Sequence, residues 1–202
     1  MITVYHVKFS RSIRVIWTLE ELGIDYEVKT LSMMDRDLRK PEFLALNPLG
    51  LVPAIIDGDI TMCESGAIVQ YLLDKYGPAD LVPAKDSPAF AYYLQWFHLA
   101  EASATVPVGD VVQNTRIKPE PMRIPEQAEW ATKKAQKAFA MMEEQLGKTA
   151  HIAGDNFTAA DIMATYALIL GGLVNLADGF PNCLAYLERM KQRPGLQAAM
   201  GA

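Results

Sequence analysis

The amino-acid sequence predicts two successive domains, an α/β N-terminal domain and an all-α helical C-terminal domain, on three observations. Strand and helix signals alternate over residues 1–77. Asp57-Gly58-Asp59 separates two brief strand-like runs, which marks a hairpin and not another crossover. Beyond Ala89 the strand signals cease, and apolar residues recur at helical spacing alone.

Taken in order, residues 2–7 are rich in β-branched side chains and carry Tyr5, which suits a strand. Ile13, Ile16 and Trp17 then fall at helical spacing, with Ser10 or Ser12 available as a cap and Gly23 placed to end the helix. Residues 24–31 form a second strand, and Pro41 opens a short helix that stops near Asn47-Pro48. The hairpin pairs residues 52–56 with 60–63. Glu64-Ser65-Gly66 starts a helix with Ile68, Val69, Leu72 and Leu73 inward, ending at Gly77-Pro78. The order is βαβ, a short helix, then ββα, the thioredoxin-like arrangement with mixed strand pairing.

Residues 78–88 hold three prolines and little periodicity, and so read as a linker between domains 1–77 and 89–202. Residues 89–112 form a long helix with a kink or break at Pro107. After a proline-rich connector, residues 126–146 are amphipathic, 159–173 are almost wholly apolar and hence central, and 181–191 are helical again. Arg193-Pro194-Gly195 introduces a last short turn of helix.

Composition narrows the function. A net charge of −5 over 202 residues argues against nucleic acid, which needs a basic face. Lys133, Lys134 and Lys137 share their helix with Glu126, Glu129, Glu143 and Glu144, a mixed solvated face. The two cysteines, Cys63 and Cys183, lack Cys-x-x-Cys spacing, and His6, His98 and His151 are scattered, so dithiol chemistry and a metal site are not expected. No stretch reaches the ~20 apolar residues of a membrane span, and the N-terminus has no leader pattern, which makes the cytosol the default compartment.

Three local features suit one ligand. Ser10-Arg11-Ser12 stands at a strand-to-helix turn, where a hydroxyl and a helix N-terminus can stabilise a thiolate; a plain helix cap accounts for the same residues. In Leu51-Val52-Pro53, a cis proline would leave the Val52 main chain free to pair with an extended peptide. Glu64-Ser65, with Ser65 as N-cap, offers an acid for an ammonium and a helix start for a carboxylate; a capped helix with an exposed acid is the plainer account.

Longer motifs carry a resemblance. Ser10-Arg11-Ser12-x-Arg14, Trp17-x-Leu19-Glu20-Glu21-Leu22-Gly23 and Tyr26-Glu27 resemble the opening of serine-type cytosolic glutathione S-transferases, similar to the theta and phi classes. Pro41-Glu42-Phe43-Leu44-Ala45-x-Asn47-Pro48-x-Gly50-x-Val52-Pro53-Ala54 and Glu64-Ser65-x-Ala67-Ile68-x-x-Tyr71-Leu72 resemble the family's next segments. Phe157-Thr158-Ala159-Ala160-Asp161-Ile162 is similar to its buried capping box, and Leu187-Glu188-Arg189-Met190 precedes Arg193-Pro194 as in relatives.

The resemblance implies an enzyme, a transferase of detoxification, using glutathione as co-substrate. Glu64 and Ser65 would hold the γ-glutamyl end, the Val52 main chain before Pro53 the cysteinyl part, and Arg39 or Lys40 the glycyl carboxylate. Ser10, preferred to Ser12 and Tyr5, would activate the thiol for attack on a small, largely apolar electrophile held against the 93–106 helix, where Tyr93, Trp96 and Phe97 serve equally as core. Leu51 departs from the polar residue many relatives carry, which removes one side-chain contact. Other glutathione-dependent reactions (isomerisation, dehalogenation, ether cleavage, peroxide reduction) share the same site, and a non-catalytic glutathione-binding module is the alternative of another class. A homodimer, with Leu49 as an exposed contact, also follows from the resemblance.

Overall fold

The computed structural model describes residues 1–77 and 79–202, and contacts divide it into two units, Met1–Pro78 with Lys191–Ala202, and Ala79–Met190. The first unit holds a four-stranded sheet of order β2-β1-β3-β4. Its strands are β1 (Ile2–His6), β2 (Tyr26–Thr30), β3 (Ala54–Asp57) and β4 (Ile60–Cys63). β1 runs parallel to β2, which requires a crossover, and antiparallel to β3, which pairs with β4 through the Asp57–Ile60 turn. This is the thioredoxin-like topology expected from the order of the elements.

The crossover is α1 (Ser12–Leu22), which ends at Gly23 in the left-handed conformation, φ +64°. Ile2, Val4 and His6 alternate inward along β1 and are buried, while Thr3 and Tyr5 on the opposite face are half-buried. Ile13, Val15, Ile16, Trp17 and Leu19 of α1 complete the core with Ile68, Val69 and Leu72 of α3 (Ser65–Tyr76). On the other face, Phe43 of the short α2 (Pro41–Leu44) meets the Tyr5 ring at 5.8 Å. Asp57, at the end of β3, accepts hydrogen bonds from Tyr71 (2.8 Å), Lys75 (2.8 Å) and Tyr76 (2.7 Å), fastening the hairpin turn to α3.

The second unit is helical: α4 (Pro88–Leu99), α5 (Val106–Val112), α6 (Pro125–Leu146), α7 (Ala159–Gly172) and α8 (Pro181–Lys191). The long helix expected over 89–112 is present as one path, but it widens into π-helical turns at Ala100–Thr105, just before Pro107. Proline has no N–H to offer the preceding turn, and the wider turn accommodates that loss. Tyr93, Trp96 and Phe97 are core residues of this unit. α7 is buried almost all round, as its composition requires, and the Thr158–Asp161 capping box closes its N-terminus. Among the described residues no helix is long and apolar enough to cross a membrane.

The division departs from the predicted boundaries at the C-terminus. The sequence predicts a single domain over residues 89–202, yet Lys191–Ala202 groups with the first unit. The reason is α9 (Pro194–Gly201), a full helix where a short turn was expected. Gly195 lets it approach α1 closely, since a Cβ there would stand 2.8 Å from Trp17 Cδ1. Arg193 clamps the pair through a bidentate contact with Glu21, at 2.9 and 2.7 Å, and Trp17 donates to the same carboxylate at 2.7 Å. The predicted linker 78–88 opens at Pro78, outside the described residues, and continues through a 3₁₀ turn at Ala79–Leu81.

Candidate functional site

Strand register brings the three sequence features to one end of the sheet. Tyr5 pairs with Ala54 and Ala54 with Cys63, so the exit of β1, the entry of β3 and the exit of β4 are neighbours. Residues 7–11, Val52-Pro53 and Glu64-Ser65 extend from these three points. In open sheets this is the edge where ligands bind, because the loops there can vary while the strands hold them in place.

Ser10 lies in the first of these loops, half-buried. Its Oγ is 2.6 Å from Ser12 Oγ and accepts the Ser12 N–H at 3.3 Å. Ser12 is fully buried and is the first residue of α1, while Arg11 occupies the cap position without a side-chain cap bond. Neither serine is therefore a standard cap. The helix start is also less open than the sequence suggests: the Ile13 N–H goes to the Ser10 carbonyl and the Arg14 N–H to the Arg11 carbonyl, both at 3.1 Å. What remains for an anion there is the helix dipole and the Ser10 hydroxyl. Tyr5 lies on the opposite face of β1, where it lines a cavity of about 250 Å³ with Phe43, Lys40 and Leu46.

α3 begins differently. Ser65 is its first helical residue, not the N-cap; Glu64 holds the cap position with φ +71°, in the region that disfavours residues other than glycine. The first backbone bond into the helix is Ile68 N–H to the Glu64 carbonyl at 2.9 Å, and the Ser65, Gly66 and Ala67 N–H groups have no acceptor among the described residues. Three open donors at the positive end of a helix dipole form an anion site. The backbone strain at Glu64 marks the same position, and its carboxylate is exposed.

Beneath Ser65 lies Arg14, wholly buried, whose Nη1 donates to Ser65 Oγ at 3.2 Å. That bond occupies an acceptor lone pair of the hydroxyl and leaves its proton for a ligand. The buried guanidinium adds positive charge under the helix start. The sequence motif that contains Arg14 does not by itself give it this role; the one local signal is a cation set among Ile13, Val15, Ile16 and Trp17 on a buried helix.

The Val52–Pro53 peptide is cis, and the Val52 main chain makes no hydrogen bond among the described residues. The loop before it is shaped by buried Asn47, which donates to the Leu51 carbonyl at 2.7 Å and accepts the Leu49 N–H at 3.1 Å. Within the sequence Asn47 carries no signal for this role beyond its motif. Arg39 packs against Gly50 (φ +63°), where a Cβ would stand 2.7 Å from its Nη1. Its guanidinium has no ionic partner among the described residues, whereas Lys40 is paired with Asp37 at 2.6 Å. Arg39 is the uncommitted cation of the two.

Fold and edge together define a thioredoxin-like protein with a helical second unit. The family models of the glutathione S-transferase N-terminal domain and C-terminal domain match residues 4–80 and 113–200, and the chain belongs to that family. Glutathione S-transferase 3 of Zea mays is 31% identical over 201 residues, covering 94% of this chain and 88% of the relative. Glutathione S-transferase 3 of Schizosaccharomyces pombe is 40% identical over 103 residues, and the match spans 51% of this chain but only 42% of that protein. The crystal structure of a glutathione transferase family member from Pseudomonas fluorescens Pf-5, with two glutathione bound, superposes with a TM-score of 0.88 at 26% identity. It covers 98% of this chain and 92% of that one.

Proposed function

We propose that this chain is a glutathione transferase in which Ser10 activates the thiol, Glu64 and Ser65 hold the γ-glutamyl end, the Val52 main chain before Pro53 pairs with the cysteinyl part, and Arg39 receives the glycyl carboxylate. The observation that carries the reading is the open start of α3, three free N–H groups between the Glu64 carboxylate and the Arg14-backed Ser65 hydroxyl. An α-amino acid presents a carboxylate and an ammonium on one carbon, and this pair of opposite charges complements both.

The chemistry is nucleophilic substitution by a thiolate. A free thiol near pKa ~8.5 is only a few per cent ionised at neutral pH. Lowering that value by about two units makes the thiolate dominant and requires ~2.7 kcal/mol of differential stabilisation. A hydrogen bond from Ser10 to sulfur, with the α1 dipole behind it, supplies an interaction of that order. The thiolate attacks an electrophilic carbon of a small, largely apolar substrate, and the leaving group departs with the bonding pair. Family membership supports a role in detoxification and residence in the cytoplasm.

Turnover of a small aryl halide should depend strictly on glutathione. Binding of glutathione without turnover of any electrophile in a broad panel would instead favour a binding module. Glu64→Ala and Ser65→Ala should each weaken glutathione binding by about 1–3 kcal/mol by calorimetry, since each removes a partner of a charged group. Arg39→Ala should weaken it too, while Lys40→Ala, already tied to Asp37, should not. Unchanged affinity in both the Glu64 and the Ser65 variants would remove the amino-acid end from this position.

A homodimer belongs to the same proposal. Leu49 and Leu51 stand 59% and 54% exposed in the loop ordered by Asn47, two apolar side chains that a second copy of the chain would cover. Sedimentation equilibrium should give twice the 22.4 kDa chain mass, and Leu49→Asp should shift the population toward monomer. A single-chain mass across a wide concentration range excludes the dimer.

A further inference from the structure

We propose that His6 is a positioning residue of the reaction, which acts through Ser12 to aim the Ser10 hydroxyl proton at the glutathione sulfur; this rests on the assignment of Ser10 above. His6 is 1% exposed at the end of β1, and its Nδ1 lies 2.8 Å from Ser12 Oγ, which lies 2.6 Å from Ser10 Oγ. The three groups form one chain of hydrogen bonds leading from the core to the half-buried serine.

The direction of that chain decides what Ser10 can do. A serine hydroxyl has one proton to give and two lone pairs to fill. If His6 Nδ1 carries the ring proton, it donates to Ser12 Oγ, and Ser12 donates to Ser10 Oγ. Ser10 also accepts the Ser12 N–H at 3.3 Å. Both lone pairs of Ser10 are then filled, and its proton is left for the ligand, which is what a thiolate needs. If instead Nε2 carries the proton, Nδ1 accepts from Ser12, Ser12 accepts from Ser10, and Ser10 faces the ligand as an acceptor, which favours the neutral thiol.

Burial selects between the two. His6 Nε2 is buried and has no hydrogen-bond partner among the described residues. An orphaned N–H in the interior is rarer and costlier than an orphaned lone pair, so the proton belongs on Nδ1, where Ser12 accepts it. Burial, aided by the charge of Lys8, also keeps the ring neutral by lowering its pKa against an opposing influence from the Ala202 backbone, which nevertheless forms no bond of good geometry to Nε2. Each donor polarises the next, so the outer hydroxyl is a stronger donor than an isolated serine.

The test is an ultraviolet titration of the bound glutathione thiolate in Ser10→Ala, Ser12→Ala, His6→Leu, His6→Asn and the His6→Leu/Ser10→Ala double variant, with nitrogen-15 NMR of the histidine rings in the parent protein. We expect a protonated Nδ1 at His6. His6→Leu and Ser12→Ala should each raise the thiol pKa by about half a unit to one unit, less than Ser10→Ala does. His6→Leu should add nothing in the Ser10→Ala background, and His6→Asn, whose amide N–H can replace Nδ1–H, should restore the parent value. A proton on Nε2, or an unshifted thiol in folded His6→Leu, overturns the relay and leaves Ser10 in place. Should His6→Leu fail to fold, Ser12→Ala and His6→Asn decide the same question. An unshifted thiol in Ser10→Ala overturns the assignment of Ser10 itself.

Discussion

Asp161→Ala should lower the unfolding free energy by about 3–5 kcal/mol while leaving the kinetics of the surviving enzyme nearly normal. A helix cap alone predicts about 1–2 kcal/mol for this change. The larger figure comes from what else the carboxylate holds. It is wholly buried and accepts the Thr158 N–H at 2.8 Å, the Ile152 N–H at 2.9 Å and the Tyr186 hydroxyl at 2.8 Å. Alanine strands all three donors in a dry interior, and α7, the most buried helix of its unit, loses its start. For a chain of this size the loss corresponds to a fall in melting temperature of about 10 °C. Thr158→Ala, which keeps the carboxylate and all three of these donors and loses only the Thr158 hydroxyl contact at 3.2 Å, should cost roughly 1 kcal/mol. A variant with the parent melting temperature and lost turnover would show that Asp161 belongs to the reaction instead.

Ser10→Ala should raise the apparent pKa of bound glutathione by roughly one to two units. The thiol is an acid, so raising its pKa reduces the thiolate at every pH below the new value. Starting from a bound-thiol pKa about two units below ~8.5, turnover at neutral pH should therefore fall by about threefold to twenty-five-fold, with the deficit closing as pH rises past the shifted pKa. Glutathione affinity at low pH, where both proteins bind the thiol form, should change little. Tyr5→Phe is the control, because Tyr5 faces the α2 side of the sheet with Phe43 and cannot share the Ser10–Ser12 network. If the shift appears for Tyr5→Phe and not for Ser10→Ala, the tyrosine is the activating hydroxyl and the serine-type assignment is wrong. A moderate effect of Ser12→Ala fits the geometry, since Ser12 is buried and touches the ligand only through Ser10.

The sequence by itself determined the elements and their order. Alternation along β1, the Asp57-Gly58-Asp59 turn, the apolar spacing of α3 and the uniform apolarity of α7 are local patterns, written in periods of two or of three to four residues. The Thr158-x-x-Asp161 box was legible for the same reason, since both partners lie within one turn. Ser10, Val52, Glu64 and Ser65 could be singled out because each stands at a strand end or a helix start, and those positions have local signatures.

Tertiary structure decided what the local patterns could not carry. Ser10-Arg11-Ser12 and Glu64-Ser65 read alike as serine-bearing helix starts, yet one closes its N–H groups on its own carbonyls and the other leaves them open behind a left-handed Glu64. That difference lies in backbone angles, which are set by how β1 and β4 enter their helices. Arg14 reaches Ser65 across 51 positions, Tyr186 reaches Asp161 across 25, and Arg193 reaches Glu21 across 172, which is why α9 joins the first unit. His6 became a candidate only when the turn folded Ser12 back over it. A sequence records which residues can donate, accept or pack within a few positions, whereas partners brought together by loop closure are chosen by the packing of the whole unit.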